Sequence, residues 1–338
     1  MTSSSAAGSS SAAGFLSGAG SSSVAGSPAV AASSAAPASL PSASAFRPRS
    51  LAEACRCLAA EPELLRVAGC TDLMVADPER RLLDRGVLDL LEIAEIRGVR
   101  ETAGGLTIGA TTTFSELRRS PAVGASYPAL AAAAAEIGGW QIQNRATLGG
   151  NLANASPAGD SLPVLLALEA VVVAVGPRGE REIPYADFHL GYRRTALAAD
   201  EILAWVRLPA PPPGAVQAFR KVGTRAAQAI SKVVVAMVGV VADGRIAELR
   251  LAAGSVAPVP VRLAGAEAAA RGLPPGVEAA ERAGRAAAAE VTPIDDVRST
   301  GAYRSWALER VVRRLVLGLG TVTPAADLGV SGRPEVGT

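Results

Sequence analysis

Histidine is almost missing: His189 is the only one in 338 residues, and cysteine occurs three times, as Cys55, Cys57 and Cys70. A catalytic zinc usually takes three protein ligands, and a thiolate-bound iron–sulfur cluster takes four cysteines. The chain is therefore expected to hold neither on its own residues. Cys55 and Cys57 lie two apart in a helical stretch, where they point to different faces. Nucleophilic catalysis of the Ser-His-Asp or Cys-His kind would have to use His189. It sits in "YADFHLGYRR", which contains no nucleophile motif, so it reads as a packing or surface residue. An odd, sparse set of cysteines suits a reducing cytoplasm better than a secreted disulfide scaffold.

Aromatic residues make up only 4% of the chain, and Lys221 and Lys232 are its only lysines. Net charge is +2 with no basic stripe, which leaves nucleic-acid binding without support. No run approaches the roughly 20 bulky apolar residues of a membrane helix. The mean hydropathy of +0.28 owes much to alanine. Charge is missing altogether before Arg47. Residues 1–45 are almost all Ser, Ala, Gly and Pro, buryable surface too small to offset ordering entropy, and are expected to be a disordered tail. They lack the basic start and compact apolar core of a secretory signal. A second flexible tail is expected at 321–338.

Between the tails the patterning is regular. Ser50 with Glu53 forms a capping-box start for a helix carrying Leu51, Ala54 and Leu58. "LLRVAG" reads as a strand ending at Gly69, after which Thr71 and Asp72 open a helix. "LTIGATTTFSELRRS" repeats the theme, with a strand at 106–109 and a helix from Phe114. "YPALAAAAAEIGG" reads as a helix closed by Gly138 and Gly139. A long small-residue loop, "ATLGGNLANASPAGD", then leads to a helix over 160–169 with Asp160 as its expected N-cap and Pro163 in its first turn. "AVVVAV" and "EILAWVRLP" read as buried strands. "APPPG" at 210–214 breaks the pattern, and beyond it three strands, with an Asp243-Gly244 hairpin, precede helices near 260–271, 276–290 and 301–319. Strands followed by helices imply an α+β unit with its helices on one sheet face.

Three turns share a composition: Ala68-Gly69-Cys70-Thr71-Asp72, Gly109-Ala110-Thr111-Thr112 and Thr147-Leu148-Gly149-Gly150-Asn151. Each offers amides, hydroxyls and little bulk, as a pyrophosphate lining requires. Neither the G-x-G-x-x-G fingerprint nor a Walker loop is present. Taken alone, these residues leave two readings open, ordinary turns or a cradle for a phosphate-bearing ligand.

From Phe46 to about Gly318 the chain resembles the flavin-binding medium subunit of molybdenum hydroxylases, the xanthine dehydrogenase and carbon monoxide dehydrogenase family. The motifs that carry the resemblance are "RVAGCTDLMV", "LTIGATTTFSEL", "QIQNRATLGGNLANASPAGDSLPVLLALEA", "GYRRTALAADEILAWVRLP", "FRKVG", "AAGSVAPVPVRL" and "RSTGAYR", in family order. It implies an α+β fold: a two-lobed flavodehydrogenase-type FAD-binding domain over 46–210, with lobes of about 46–98 and 99–210, and a smaller α+β domain over 215–320. It implies non-covalent FAD, since no histidine lies in the three turns. The first flavin loop falls on Val67, Ala68, Gly69, Cys70, Thr71 and Asp72, with Ala110, Thr111 and Thr112 beside it. The second falls on Thr147, Gly149, Gly150 and Asn151. Asp160 would lie near the adenosine half, with Gly138 and Gly139 closing beside it. Ile202 and Leu203 would pack near the isoalloxazine, and Arg220 or Lys221 near its polar edge. The expected partners are a [2Fe-2S] small subunit and a molybdopterin large subunit in a dimerised heterotrimer, with NAD+ or another acceptor taking the electrons. A self-sufficient flavin oxidase and a scaffold that has lost its flavin are the alternatives. Relatives usually read Ala-Gly-Gly-Thr-Asp where this chain has Cys70 at the second glycine, a residue that resists a positive φ.

Overall fold

The computed structural model describes residues 44–76, 86–225 and 228–320. The tail expected at 1–45 lies outside these residues apart from its last two, and the tail at 321–338 lies wholly outside them.

The chain enters through β1 (Ala45–Phe46) and helix α1 (Leu51–Ala60), whose Ser50 side chain accepts from Glu53 N; the Glu53 carboxylate takes Arg49 N rather than Ser50 N, so the expected capping box is half made. It continues through β2 (Leu65–Val67), the four-residue α2 (Leu73–Ala76) and β3 (Val87–Asp89). These strands form a parallel sheet in the order β1-β3-β2. Leu51, Ala54, Leu58, Leu64, Leu88, Ile93 and Ile96 bury one small core against it.

The second sheet is antiparallel: β4 (Val99–Thr102), β5 (Gly105–Gly109), β6 (Val171–Gly176), β7 (Gly179–Pro184) and β10 (Ile202–Pro209), in the order β4-β5-β10-β6-β7. The hairpin β8 (His189–Gly191) and β9 (Arg194–Thr195) stands apart from it. Between β5 and β6 run α3 (Phe114–Arg119), α4 (Pro121–Ser126), α5 (Pro128–Glu136), α6 (Trp140–Gln143), α7 (Leu148–Asn154) and α8 (Ser161–Ala167). Thr113 and Glu116 make a full capping box at the start of α3.

The third sheet, β11 (Val216–Val222), β12 (Val233–Ala242), β13 (Arg245–Gly254) and β14 (Val261–Arg262), is antiparallel in chain order. Asp243 and Gly244, at φ 50° and 69°, close the β12–β13 hairpin as the sequence suggested. Helices α9 (Ala264–Ala270), α10 (Val277–Ala289) and α11 (Gly301–Gly318) cover one face. The other face is covered too: Ala236, Val238 and Ala252 join the core built by α5 and α8. Burial on both faces is why "VVVAMVGVV" reads as a continuous apolar run rather than an alternating one.

Candidate functional site

The segments carrying the three turns meet. Gly69 stands so close to the Arg145–Ala146 backbone that an added Cβ would collide with the Arg145 carbonyl. Gly149 meets Ala110 in the same way, its Cβ position lying 2.6 Å from the Ala110 Cβ. The segments 110–114 and 146–149 are also laced together: Phe114 N donates to Ala146 O at 3.1 Å, Leu148 N to Thr112 O at 3.0 Å and Gly149 N to Ala110 O at 2.8 Å. Glycine is required at 69 and 149 because two backbones touch there.

This lacing corrects the expected division of labour. The stretch from Thr147 is not an open loop but the start of α7, with Thr147 as N-cap accepting from Gly150 N at 3.0 Å. Asn151 N donates to Thr147 O at 3.0 Å. The amides of Leu148, Gly149, Gly150 and Asn151, expected to face a ligand, are therefore spent inside the fold. The same holds for Ala110, Thr111 and Thr112, all buried. Their amides donate to Ala204 O, Ile96 O and Gly109 O, and the two hydroxyls bond to Ile96 O and Gly98 O. What remains of the second loop is the exposed backbone of Gly150, the Thr147 hydroxyl and the side-chain amide of Asn151.

The first loop behaves differently. Val67 O accepts from Leu90 N at 2.9 Å, and Asp72 O and Cys70 O accept within the α2 turn. Among the described residues, however, no acceptor takes the amides of Ala68, Gly69, Cys70, Thr71 or Asp72. Ala68, Gly69, Cys70 and Thr71 are half-buried and Asp72 is exposed, and half-buried backbone donors left unpaired are costly unless a ligand or water satisfies them. Cys70 adopts φ 58°, the left-handed geometry that glycine would take without strain. Burial pushes its thiol up, Asp89 adds to that, and Arg145 pulls the other way, so it stays a protonated thiol rather than a reactive thiolate.

Other expected residues are placed elsewhere. Asp160 precedes α8 but caps nothing. Its carboxylate is buried in an ion pair with Lys221 Nζ at 2.6 Å and also takes the Ser231 hydroxyl. Burial pushes the Asp160 carboxyl up, and Lys221 and Ser231 oppose this. Lys221 also donates to Glu136 O at 3.1 Å and is only 4% exposed, so it is spent in the core and offers nothing to a flavin edge. Arg220, its neighbour on β11, is exposed and makes no ion pair among the described residues. Ile202 and Leu203 are buried in two different cores, and the Ile202 side chain has no surface left for a ligand. Gly138, at φ 54°, and Gly139 turn the chain into α6, with Gly139 abutting the Gln228 side chain.

Several contributors escaped the sequence reading. Arg193, at the tip of the β8–β9 hairpin, reaches Asn154 Oδ1 at 2.8 Å and Asp72 Oδ2 at 3.5 Å, tying the first loop to the end of α7. An arginine beside an exposed tyrosine, Tyr192, was the available signal. His189 holds the hairpin's other side. One ring nitrogen bonds Leu152 O at 2.9 Å and the other the Tyr185 hydroxyl at 3.2 Å. Its carbonyl partner must receive the Nε2 proton, leaving Nδ1 to accept. Burial lowers its basicity, and the ring is a structural pin, as its lack of nucleophile context suggested.

The chain matches the FAD binding domain in molybdopterin dehydrogenase over residues 41–211 and the CO dehydrogenase flavoprotein C-terminal domain over residues 217–319. The chain belongs to the FAD-binding medium-subunit family of molybdenum hydroxylases. Among relatives of this medium subunit, the xanthine dehydrogenase FAD-binding subunit of Escherichia coli O157:H7 is 33% identical over 276 residues, 81% of this chain and 94% of the relative. The nicotine 6-hydroxylase medium subunit of Paenarthrobacter nicotinovorans is 32% identical, with 84% and 99% covered. The solved carbon monoxide dehydrogenase of Hydrogenophaga pseudoflava superimposes with a TM-score of 0.77 at 32% identity, covering 81% of this chain and 96% of that one. The medium subunit is thus an FAD-binding oxidoreductase subunit of α+β fold. Its unspent amides at 68–72 flank Gly69, the position where only glycine fits against Arg145.

Proposed function

We propose that this chain is the electron-transfer subunit of a xanthine dehydrogenase-like molybdenum hydroxylase. It takes electrons from a [2Fe-2S] small subunit, fed in turn by a molybdopterin large subunit, and delivers them to NAD+ or another acceptor. Bound FAD supplies a store that can fill by single electrons and empty as a pair. The protein's own part is to hold, orient and shield. In this reading the amides of Ala68, Gly69, Cys70, Thr71 and Asp72 bind the pyrophosphate, and Arg193 braces Asp72 against α7. Asn151 supplies a side-chain donor. Arg220 is the remaining candidate for a cation at the flavin's polar edge. The domain division at about 210–215 is part of the proposal.

The observation that carries the reading is the row of unspent amides on Ala68–Asp72, seated against Arg145–Ala146 at the entry to α7. Three cysteines are too few for a thiolate-bound iron–sulfur cluster, which supports the reading that the clusters lie on partner chains. A carbon monoxide dehydrogenase-type medium subunit is the second reading, favoured by the match of residues 217–319 and by the likeness to the solved enzyme. The test is co-purification from the native source. Iron–sulfur and molybdopterin chains are expected to elute with this one, and its flavin absorbance to bleach when xanthine is added to the complex. Bleaching by carbon monoxide instead selects the second reading. A chain that elutes alone and oxidises substrate unaided contradicts both.

A further inference from the structure

Ser161 is fully buried at the first position of α8, and its Oγ lies 2.7 Å from Asn151 Oδ1. A serine hydroxyl has one proton to give, and among the described residues Asn151 Oδ1 is the only acceptor placed to take it. Turning the asparagine over would set its NH2 against the hydroxyl and strand that proton in the core. The hydrogen bond therefore decides which way round the Asn151 amide stands. Its NH2 faces away from Ser161, and no group among the described residues accepts from it. Asn151 lies on the first turn of α7, where every backbone amide is already spent, so this NH2, beside the buried Thr147 hydroxyl, is a donor that the second loop still has to offer.

Ser161 is itself held from behind. The preceding residue, Asp160, is clamped by Lys221 from β11 and by Ser231 from the segment ahead of β12. The third sheet thus fixes the start of α8, and α8 fixes Asn151. We propose that Ser161 is a positioning residue for the cofactor: it turns the Asn151 amide nitrogen toward an oxygen acceptor of the FAD adenosine-diphosphate half, with the Asp160–Lys221 pair as its anchor. The inference rests on the flavin reading above and adds to it a residue that touches no ligand.

The test is FAD titration of the full-length apoprotein in a double-mutant cycle. Ser161→Ala is expected to weaken FAD binding about tenfold, the worth of one well-placed hydrogen bond. Asn151→Ala is expected to weaken it by a similar factor. Adding Ser161→Ala to Asn151→Ala is expected to change affinity no further, because Ser161 acts only through that amide. A packing role would instead cost the same in either background. Unchanged affinity in Ser161→Ala, or an equal loss with and without Asn151, overturns the proposal while leaving the flavin reading standing. A wild-type apoprotein that takes up no FAD overturns both.

Discussion

Cys70 holds a left-handed backbone in the first loop, φ 58°, a conformation in which a Cβ is crowded. The strain is about 1–2 kcal/mol. Cys70→Gly is therefore expected to raise stability by about 0.5–1 kcal/mol after the added freedom of the unfolded chain is offset. A shift of the urea midpoint, with FAD uptake retained, would show it. At Gly69 the reverse applies. Gly69→Val drives side-chain atoms into the Arg145 carbonyl, so it is expected to part the first loop from the entry to α7 and abolish FAD retention. The visible spectrum of the purified variant reads this directly. The two neighbours differ in what forbids a side chain: backbone conformation at 70, and a second backbone at 69. The sequence showed that this stretch was short of bulk, and it showed Cys70 as the odd residue. It could not show that 69 is the one seated on another segment, since Arg145 lies 76 positions away in the chain.

At the scale of elements, two side-chain devices set where α7 and α8 stand. His189 pins the end of α7 through Leu152 O, and burial holds its ring neutral. Its folded pKa is lowered from the ordinary value of about 6.5, so the unfolded chain takes up a proton below that pH that the folded chain refuses. Stability is complete above about pH 6.5 and is lost as the pH falls. Urea midpoints measured from about pH 7.5 down to about pH 5.5 should decline, and His189→Gln should flatten that decline. The second device is the Asp160–Lys221 pair. Lys221→Met leaves a buried carboxylate without its cation and is expected to cost about 3–5 kcal/mol, with Asp160→Leu in the same chain recovering much of it. Differential scanning calorimetry of the single and double variants checks this. These elements mark the limit of what local patterning discloses. Ser50, Asp243-Gly244 and the strand expected at 106–109 were legible because caps, hairpins and strand periods are local. Thr147 is an N-cap type residue and could have signalled α7, but two glycines after it argued for a loop. Asp160, a cap by type, is drawn off by a lysine 61 positions away, and nothing near it in the chain announces that.

For the whole molecule, the segments around Gly69, 110–114 and 145–149 come from distant parts of the chain and meet along one seam. The first loop comes from the parallel sheet, the second from the helices that follow β5, and the anchor of Ser161 from the third sheet. This is why the motifs that carry the family likeness are scattered along the chain although their backbones touch. The near absence of histidine and cysteine fits the proposal that the metal chemistry lies on other chains. Among the described residues no helix is long and apolar enough to cross a membrane. The central claim, that this seam holds non-covalent FAD, is tested most directly by the visible spectrum of the purified chain before and after acid precipitation. The account predicts a flavin spectrum at one FAD per chain, with all the flavin released to the supernatant. A colourless chain that stays colourless when FAD is added, or flavin that remains in the precipitate, would contradict it.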